Sequence, residues 1–406
     1  MLEQAERDYV RELGRQAHEL AVSPEYEARR RRWRDVNALR RPDRSPVWCK
    51  PIGCWRELLP ESALRCRDPF LRDLERLFRH WLIKHDIGDD SLIPVTMDVP
   101  AAIVPADDGD HVWGLEIRHH RPAEAGGAWT FDPSVKEERD LEKLSLPTFM
   151  HDRQESQRRL ERHHEVLDGV MPVRLVGEVP IMPALSWLAA DMLGLDAMML
   201  NLALKPEMIH RLMAFLQAGV LKTLDEVEAM GVLTENNEEE LYCSDSLRKT
   251  PPGQPLRIRD LWGQANSQEF ELVSPTMWRE FLLEYQRPVL ERFGLVSYGC
   301  CETLTRKIDG VLTIRNLRIF VCSAWTSLPK VVEAVGDRYA IMWRQKATDV
   351  VYGDPEDIRR HLDEGMRITR GCYRQVVLRE LQTLGGDLRR LHKWARFAKD
   401  AAEKHC

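Results

Sequence analysis

No stretch of this chain approaches the ~18 uninterrupted apolar residues that a membrane helix requires, so no membrane partner is expected. Residues 1–7 are charged and lack the apolar core of a signal peptide. Phosphate-binding glycine signatures are missing too: Ala125-Gly126-Gly127-Ala128 has neither a preceding strand nor a following helix. There is no Walker lysine motif, no His-Glu-x-x-His helix and no Gly-x-Ser-x-Gly elbow. These absences remove nucleotide-binding, zincin-type and serine-hydrolase readings. Cysteine is short of a disulfide framework, because the nine present are odd in number and irregularly spaced. That pattern suits reduced thiols, and the expected location is cytoplasmic. A basic surplus is lacking as well: the formal net charge is -6. Arg29 to Arg32 and Arg158-Arg159 are broken up by acidic neighbours, so no nucleic-acid partner is expected.

What is there is ample core material. With 406 residues, 43% of them hydrophobic, the chain suffices for two or three domains or one large α/β barrel with an extension. Residues 1–40, rich in Glu, Arg, Ala and Leu, read as surface helices. A stretch punctuated by Pro42, Pro46, Pro51 and Pro60 follows, and Cys49 and Cys54 within it have no second pair for zinc. Asp68-Pro69 opens an amphipathic helix. Strands are expected over 93–99, 112–117, 173–177, 241–244, 295–297, 317–323, 339–343 and 375–381, with a loop or hairpin connection over 122–133. Helices are expected between most of them, including a long one from 205 to 230. Strands alternating with helices imply parallel βαβ units. The fold expected is α/β, a (β/α)8 TIM barrel over 91–406 with a mainly helical N-terminal extension over 1–90.

Residues 293–302, Phe-Gly-Leu-Val-Ser-Tyr-Gly-Cys-Cys-Glu, stand out. Two thiols and a carboxylate leaving an apolar strand answer no packing rule, whereas loops at the C-terminal ends of barrel strands carry chemistry. Alternation along an extended segment puts Cys300 and Glu302 on one face and Cys301 in the wall. Other polar residues end strands: Asp98, Glu178, Asp245, Ser323, Arg344 and Glu380. If Asp245, Glu178 and Glu302 converge, buried carboxylates raise one another's pKa and can divide acid and base roles. Arg344 can grip a substrate carboxylate or pair with Asp98. Trp262, Trp325 and Trp343 can wall a flat substrate, with Trp325 the preferred one.

Trp262-Gly263-Gln264-Ala265-Asn266-Ser267-Gln268-Glu269, Val273-Ser274-Pro275-Thr276-Met277-Trp278 and the Tyr-Gly-Cys-Cys-Glu loop resemble the uroporphyrinogen decarboxylase superfamily. Asn316-Leu317-Arg318, Ser323-Ala324-Trp325 and Thr383-Leu384-Gly385 add to the likeness, which covers roughly residues 90 to 404. The resemblance implies a (β/α)8 barrel and two chemistries. One is cofactor-free decarboxylation of tetrapyrrole acids. The other is methyl transfer to or from cobalamin on a partner corrinoid protein, assisted by zinc on a His-x-Cys pair and a later Cys. Here Tyr298 stands in the His place and Cys300 in the Cys place. The zinc ligands then implied are Cys300 with Cys301 or Glu302, and Cys372 or Cys322 as the later thiol. Gln268, Tyr298 and Trp262 fall in the matching segments as substrate-binding candidates.

The leading expectation is therefore a methyltransferase moving a methyl group between a small substrate and a corrinoid protein. The alternatives are a metal-independent decarboxylase of a tetrapyrrole-like or aromatic acid, and a non-catalytic corrinoid- or tetrapyrrole-binding protein. A homodimer through barrel helices is a further expectation.

Overall fold

The computed structural model describes residues 4–106, 111–120 and 130–406. Its strands are β1 (Val47–Pro51), β2 (Met97–Pro100), β3 (Ile103–Pro105), β4 (Arg118–His120), β5 (Thr130–Asp132) and β6 (Phe149–His151). They continue as β7 (Val173–Val176), β8 (Trp262–Ala265), β9 (Leu295–Tyr298), β10 (Leu317–Cys322), β11 (Ala340–Gln345) and β12 (Tyr373–Leu381). The architecture is mixed α/β, centred on a six-stranded sheet in the order β1-β12-β11-β10-β9-β8. Every pairing in it is parallel. β2 and β7 form a separate parallel pair, and β3–β6 and β4–β5 are short antiparallel pairs.

Both faces of the main sheet are covered, as parallel sheets require. Phe320, Cys322, Ile341, Trp343, Val376 and Leu378 face the core shared with the helices. Trp48, Trp262, Ile319, Val321, Met342 and Val377 face a second, inner cluster that also takes Trp33 and Val36 from the N-terminal helices.

The sheet edges are closed by side chains. Along β1, Val47 N–H donates to Asp90 at 2.8 Å and Cys49 N–H to Asp89 at 2.7 Å. Along β8, Asn236 accepts from Trp262 N–H at 2.8 Å and returns its amide to Trp262 C=O at 2.9 Å. A parallel bridge from Leu233 to Gly177 then leads to β7. These backbone groups of Val47, Cys49 and Trp262 thus find partners without a ladder.

Four sequence expectations are corrected. The Pro-punctuated stretch contains β1, which pairs with β12; residues 1–90 therefore supply a strand to the sheet, with prolines at its ends where a missing N–H is tolerated. No strand spans 112–117, which is turn, and none spans 241–244, where Leu241 takes φ 65°. The strand expected from 93 begins at Met97. The Gly126-Gly127 turn lies outside the described residues. The helix opened by Asp68 is Pro69–Ile87, capped by that carboxylate on Leu71 N–H and ended by left-handed Gly88.

Candidate functional site

β9 delivers its residues alternately to the two sides of the sheet. Val296 and Tyr298 enter the helix-side core, where the Tyr298 hydroxyl donates to Gln286 at 2.9 Å. Tyr298 is wholly buried and does not reach the strand mouth. Ser297 lies on the inner side and bonds the Tyr242 hydroxyl at 3.0 Å, while that hydroxyl donates to Gln264 at 2.7 Å. Gly299 then turns the chain at φ 114°, and a Cβ there would meet Leu304 Cδ1 at 2.9 Å and Val321 Cβ at 3.0 Å. Only glycine combines that φ with that clearance.

After this turn the two cysteines share one small space. Their sulfurs lie 3.7 Å apart. Arg344 Nη1, from the end of β11, donates to Cys300 Sγ at 3.5 Å and to Cys301 Sγ at 3.7 Å. The hydrogen bond from Cys301, followed by the Arg344 charge, brings the Cys300 thiol down to about 6 against the opposing effect of burial. Cys301 is pushed up, first by its bond to Cys300 and then by burial. One proton is therefore lost early and the other is held. Arg344 is 6% exposed and its Nε has no hydrogen-bond partner, whereas the Nε of half-buried Arg379 ion-pairs with Glu380 at 3.5 Å. Arg344, Arg379 and Cys300 all act electrostatically on Tyr242. Glu380 acts on Cys301 and Arg344 and takes φ 65°, a left-handed conformation uncommon outside glycine.

Glu302 takes the opposite role to the one alternation suggests. At 1% exposure its carboxylate accepts from Ser267 N–H at 2.7 Å and from Cys300 N–H at 2.9 Å. It is a strut that pins the loop to the end of β8, while Cys301 joins Cys300. Asp245 does not converge on it, because Asp245 is exposed and pairs with Arg40 at 2.7 Å, which holds its carboxyl below the usual range. Asp98 pairs with Arg174 at 2.6 Å and leaves Arg344 to the thiols.

Cys372 precedes β12, whereas Cys300 follows β9. In a parallel sheet those are opposite ends, so the two cannot share a ligand set. Cys322 is buried on the helix side. Trp343 packs there too, against Gly365. Trp325 is 60% exposed beneath Lys346 Nζ at 4.9 Å, and Gln268 is exposed beyond β8. Trp262 donates its Nε1–H to Ser244 at 3.0 Å.

A cavity of about 260 Å³ opens between β7 and β8, lined by Asp98 of β2, Arg174 and Val176 of β7, and Trp262 to Gln264 of β8. Asp98, Arg174, Glu178, Glu235, Glu238 and Glu239 give it charge, and Tyr242, Trp262 and Met182 give it apolar walls. Burial raises the Glu178 carboxyl, and the nearby Glu239 and Asp98 raise it further. Tyr242 and Gln264 line the cavity, and Tyr242 is also within electrostatic reach of Cys300. Sequence reading missed Tyr242, because its placement comes from a turn and not from a strand. It also missed Arg379, one residue before the noted Glu380.

Among the described residues no three His, Cys, Asp or Glu side chains group to hold a metal. The thiol spacing suits two corners of a zinc tetrahedron, whose edge is ~3.8 Å for ~2.3 Å bonds. Yet Glu302 is committed to backbone N–H groups, and a guanidinium lies against both sulfurs. Two thiols beside a fixed cation do not fit a three-ligand catalytic zinc.

No protein-family model matches the sequence, and no curated protein matches it. Among solved structures, a methyltransferase from Methanosarcina mazei superposes with a TM-score of 0.52 at 11% identity, covering 92% of this chain and 98% of that one. The two share a fold across their lengths. Among the described residues no single helix is long and apolar enough to cross a membrane; Leu185–Leu193 and Leu195–Leu204 pass that test only together, bent by 98°.

Proposed function

We propose that this chain is a methyltransferase on a closed (β/α)8-type barrel, acting at the C-terminal ends of its strands. It would pass a methyl group between a small substrate and a corrinoid protein. The observation that carries the reading is the Cys300–Arg344 pair, within electrostatic reach of Tyr242 in the wall of a small cavity, in a chain that shares its fold with a methyltransferase. Drug-sized ligand pockets span ~300–1,000 Å³, so a cavity of about 260 Å³ suits a small substrate and not a macrocycle. A corrinoid would accordingly arrive on the partner and supply the methyl carrier. This chain's residues do the rest. Cys300, held anionic by Arg344 and Cys301, provides negative charge or a nucleophile at the mouth. Glu178, with its raised pKa, can exchange a proton with the substrate heteroatom. Tyr242 and Trp262 exclude water.

The test uses free methylcobalamin as the donor with a panel of small thiols and amines, followed by cobalt absorbance. Protein-dependent demethylation is expected, lowered about 100-fold in Cys300→Ser and Glu178→Gln, the scale of losing a nucleophile or an acid–base group. Absence of protein-dependent change across the panel overturns the reading.

A second reading draws on the unpartnered Nε of buried Arg344. A guanidinium with a free donor suits a carboxylate, and Glu178 could protonate the carbon it leaves, giving a metal-independent decarboxylase. Release of carbon dioxide from small aromatic acids distinguishes it.

A further inference from the structure

We propose that Cys300 and Cys301 are an oxidative modification site: a hydroperoxide oxidises Cys300, and Cys301 resolves the product to a disulfide between neighbouring residues. Four observations converge on this pair. The sulfurs are 3.7 Å apart with no atom bonded between them. A guanidinium within hydrogen-bond reach of both stabilises an attacking thiolate. Both cysteines are partly exposed, whereas Cys49, Cys54, Cys66, Cys243 and Cys322 are buried. Glu302 holds the Cys300 N–H and Gly299 sets the turn, so the backbone carrying both thiols is fixed.

The chemistry balances with the hydroperoxide as sole oxidant. The Cys300 thiolate attacks the terminal peroxide oxygen, the O–O bond breaks, and the alkoxide or hydroxide leaves with the electron pair. Cys300 becomes a sulfenic acid. The Cys301 sulfur then attacks Cys300 Sγ, water leaves with the thiol proton, and an S–S bond forms. Consecutive Cα atoms sit ~3.8 Å apart, shorter than the usual ~4.4–6.8 Å for a disulfide. Such a bridge is strained and readily reduced, which suits a reversible modification. Oxidation removes the Cys300 charge and frees Arg344. On the reading given above, which this consequence rests on, the site is silenced until a thiol reductant restores it.

The intact chain is treated with limiting hydrogen peroxide under native conditions, and its thiols are mapped by mass spectrometry. Expected is loss of the two thiol hydrogens from the 300–301 peptide before any change at Cys406, although Cys406 is the more exposed; dithiothreitol reverses it. In Cys301→Ser, dimedone should trap a sulfenic acid on Cys300. In Arg344→Gln, oxidation measured at pH 5 should slow about tenfold, the effect of a one-unit pKa rise on a minor thiolate fraction. Oxidation of Cys406 first, or a Cys301→Ser protein that gives no dimedone adduct at Cys300, overturns the proposal. Because the readout is covalent mass and not methyl transfer, it stands or falls separately from the proposed activity.

Discussion

Cys300 carries the sharpest residue-scale consequence. A thiolate reacts and a thiol does not, so alkylation of Cys300 by iodoacetamide should rise with pH about a midpoint near 6. Its folded pKa lies below the ordinary thiol value, so the reactive form is present above pH 6 and lost below it. Cys301→Ala should move that midpoint upward, since the Cys301 hydrogen bond is the largest single cause, and Arg344→Gln should move it the same way, since that cation also favours the thiolate. Peptide mapping of alkylation rates between pH 5 and pH 9 checks both. The thiols were legible from the sequence because nothing in packing calls for Cys-Cys at a strand end. Their partner was half legible: Arg344 was placed at a strand end, but no pattern indicated that it would face sulfur and not Asp98. The roles of Glu302 and Cys301 were reversed, because strict alternation ends where Gly299 leaves the extended conformation.

At the scale of elements, the Tyr298–Glu302 loop works as one unit. Gly299 turns it, Glu302 ties it to Ser267, and Ser323 Oγ donates to Glu302 C=O at 2.7 Å. Gly299→Ala should cost about 1–3 kcal/mol of backbone strain, with further crowding against Val321 and Leu304. The expected outcome is a folded protein by circular dichroism whose Cys300 has lost its fast alkylation. Unchanged reactivity would show that the turn does not place the thiol. Long periodic helices such as Pro206–Met230 were readable from spacing alone, as were the four strands from β9 to β12. β1 was not, because its prolines mimic a loop until the partner strand is known. The segment 241–244 read as a strand because Leu, Tyr and Cys favour one, yet tertiary bonds from Asn37 and Asn237 hold it as a turn.

For the whole molecule, Asp90 joins the N-terminal helices to the sheet. It accepts from Arg32 and Arg44 at 2.6 Å each and from Val47 N–H, with its side chain only 2% exposed. Asp90→Ala removes the buried carboxylate that Arg32 and Arg44 share and leaves them only the exposed Asp43 and Glu403, and a loss of about 3–5 kcal/mol is expected. The shift of the urea midpoint measures it; a shift like that of an exposed pair, such as Arg40–Asp245, would show that the lock contributes little. Strand–helix alternation made the α/β class legible at this scale. The closures along the edges were not, since amides and carboxylates that stand in for backbone pairing leave no periodic trace.

That substitution has a mechanical result. Asn236 on one side and Asp89 with Asp90 on the other join neighbouring walls by a handful of side-chain bonds, where elsewhere whole ladders do so. A rotamer change at such a seam parts the wall without unzipping a strand. The seam at Asn236 borders the cavity itself, so a rotamer change there reshapes the cavity's own wall.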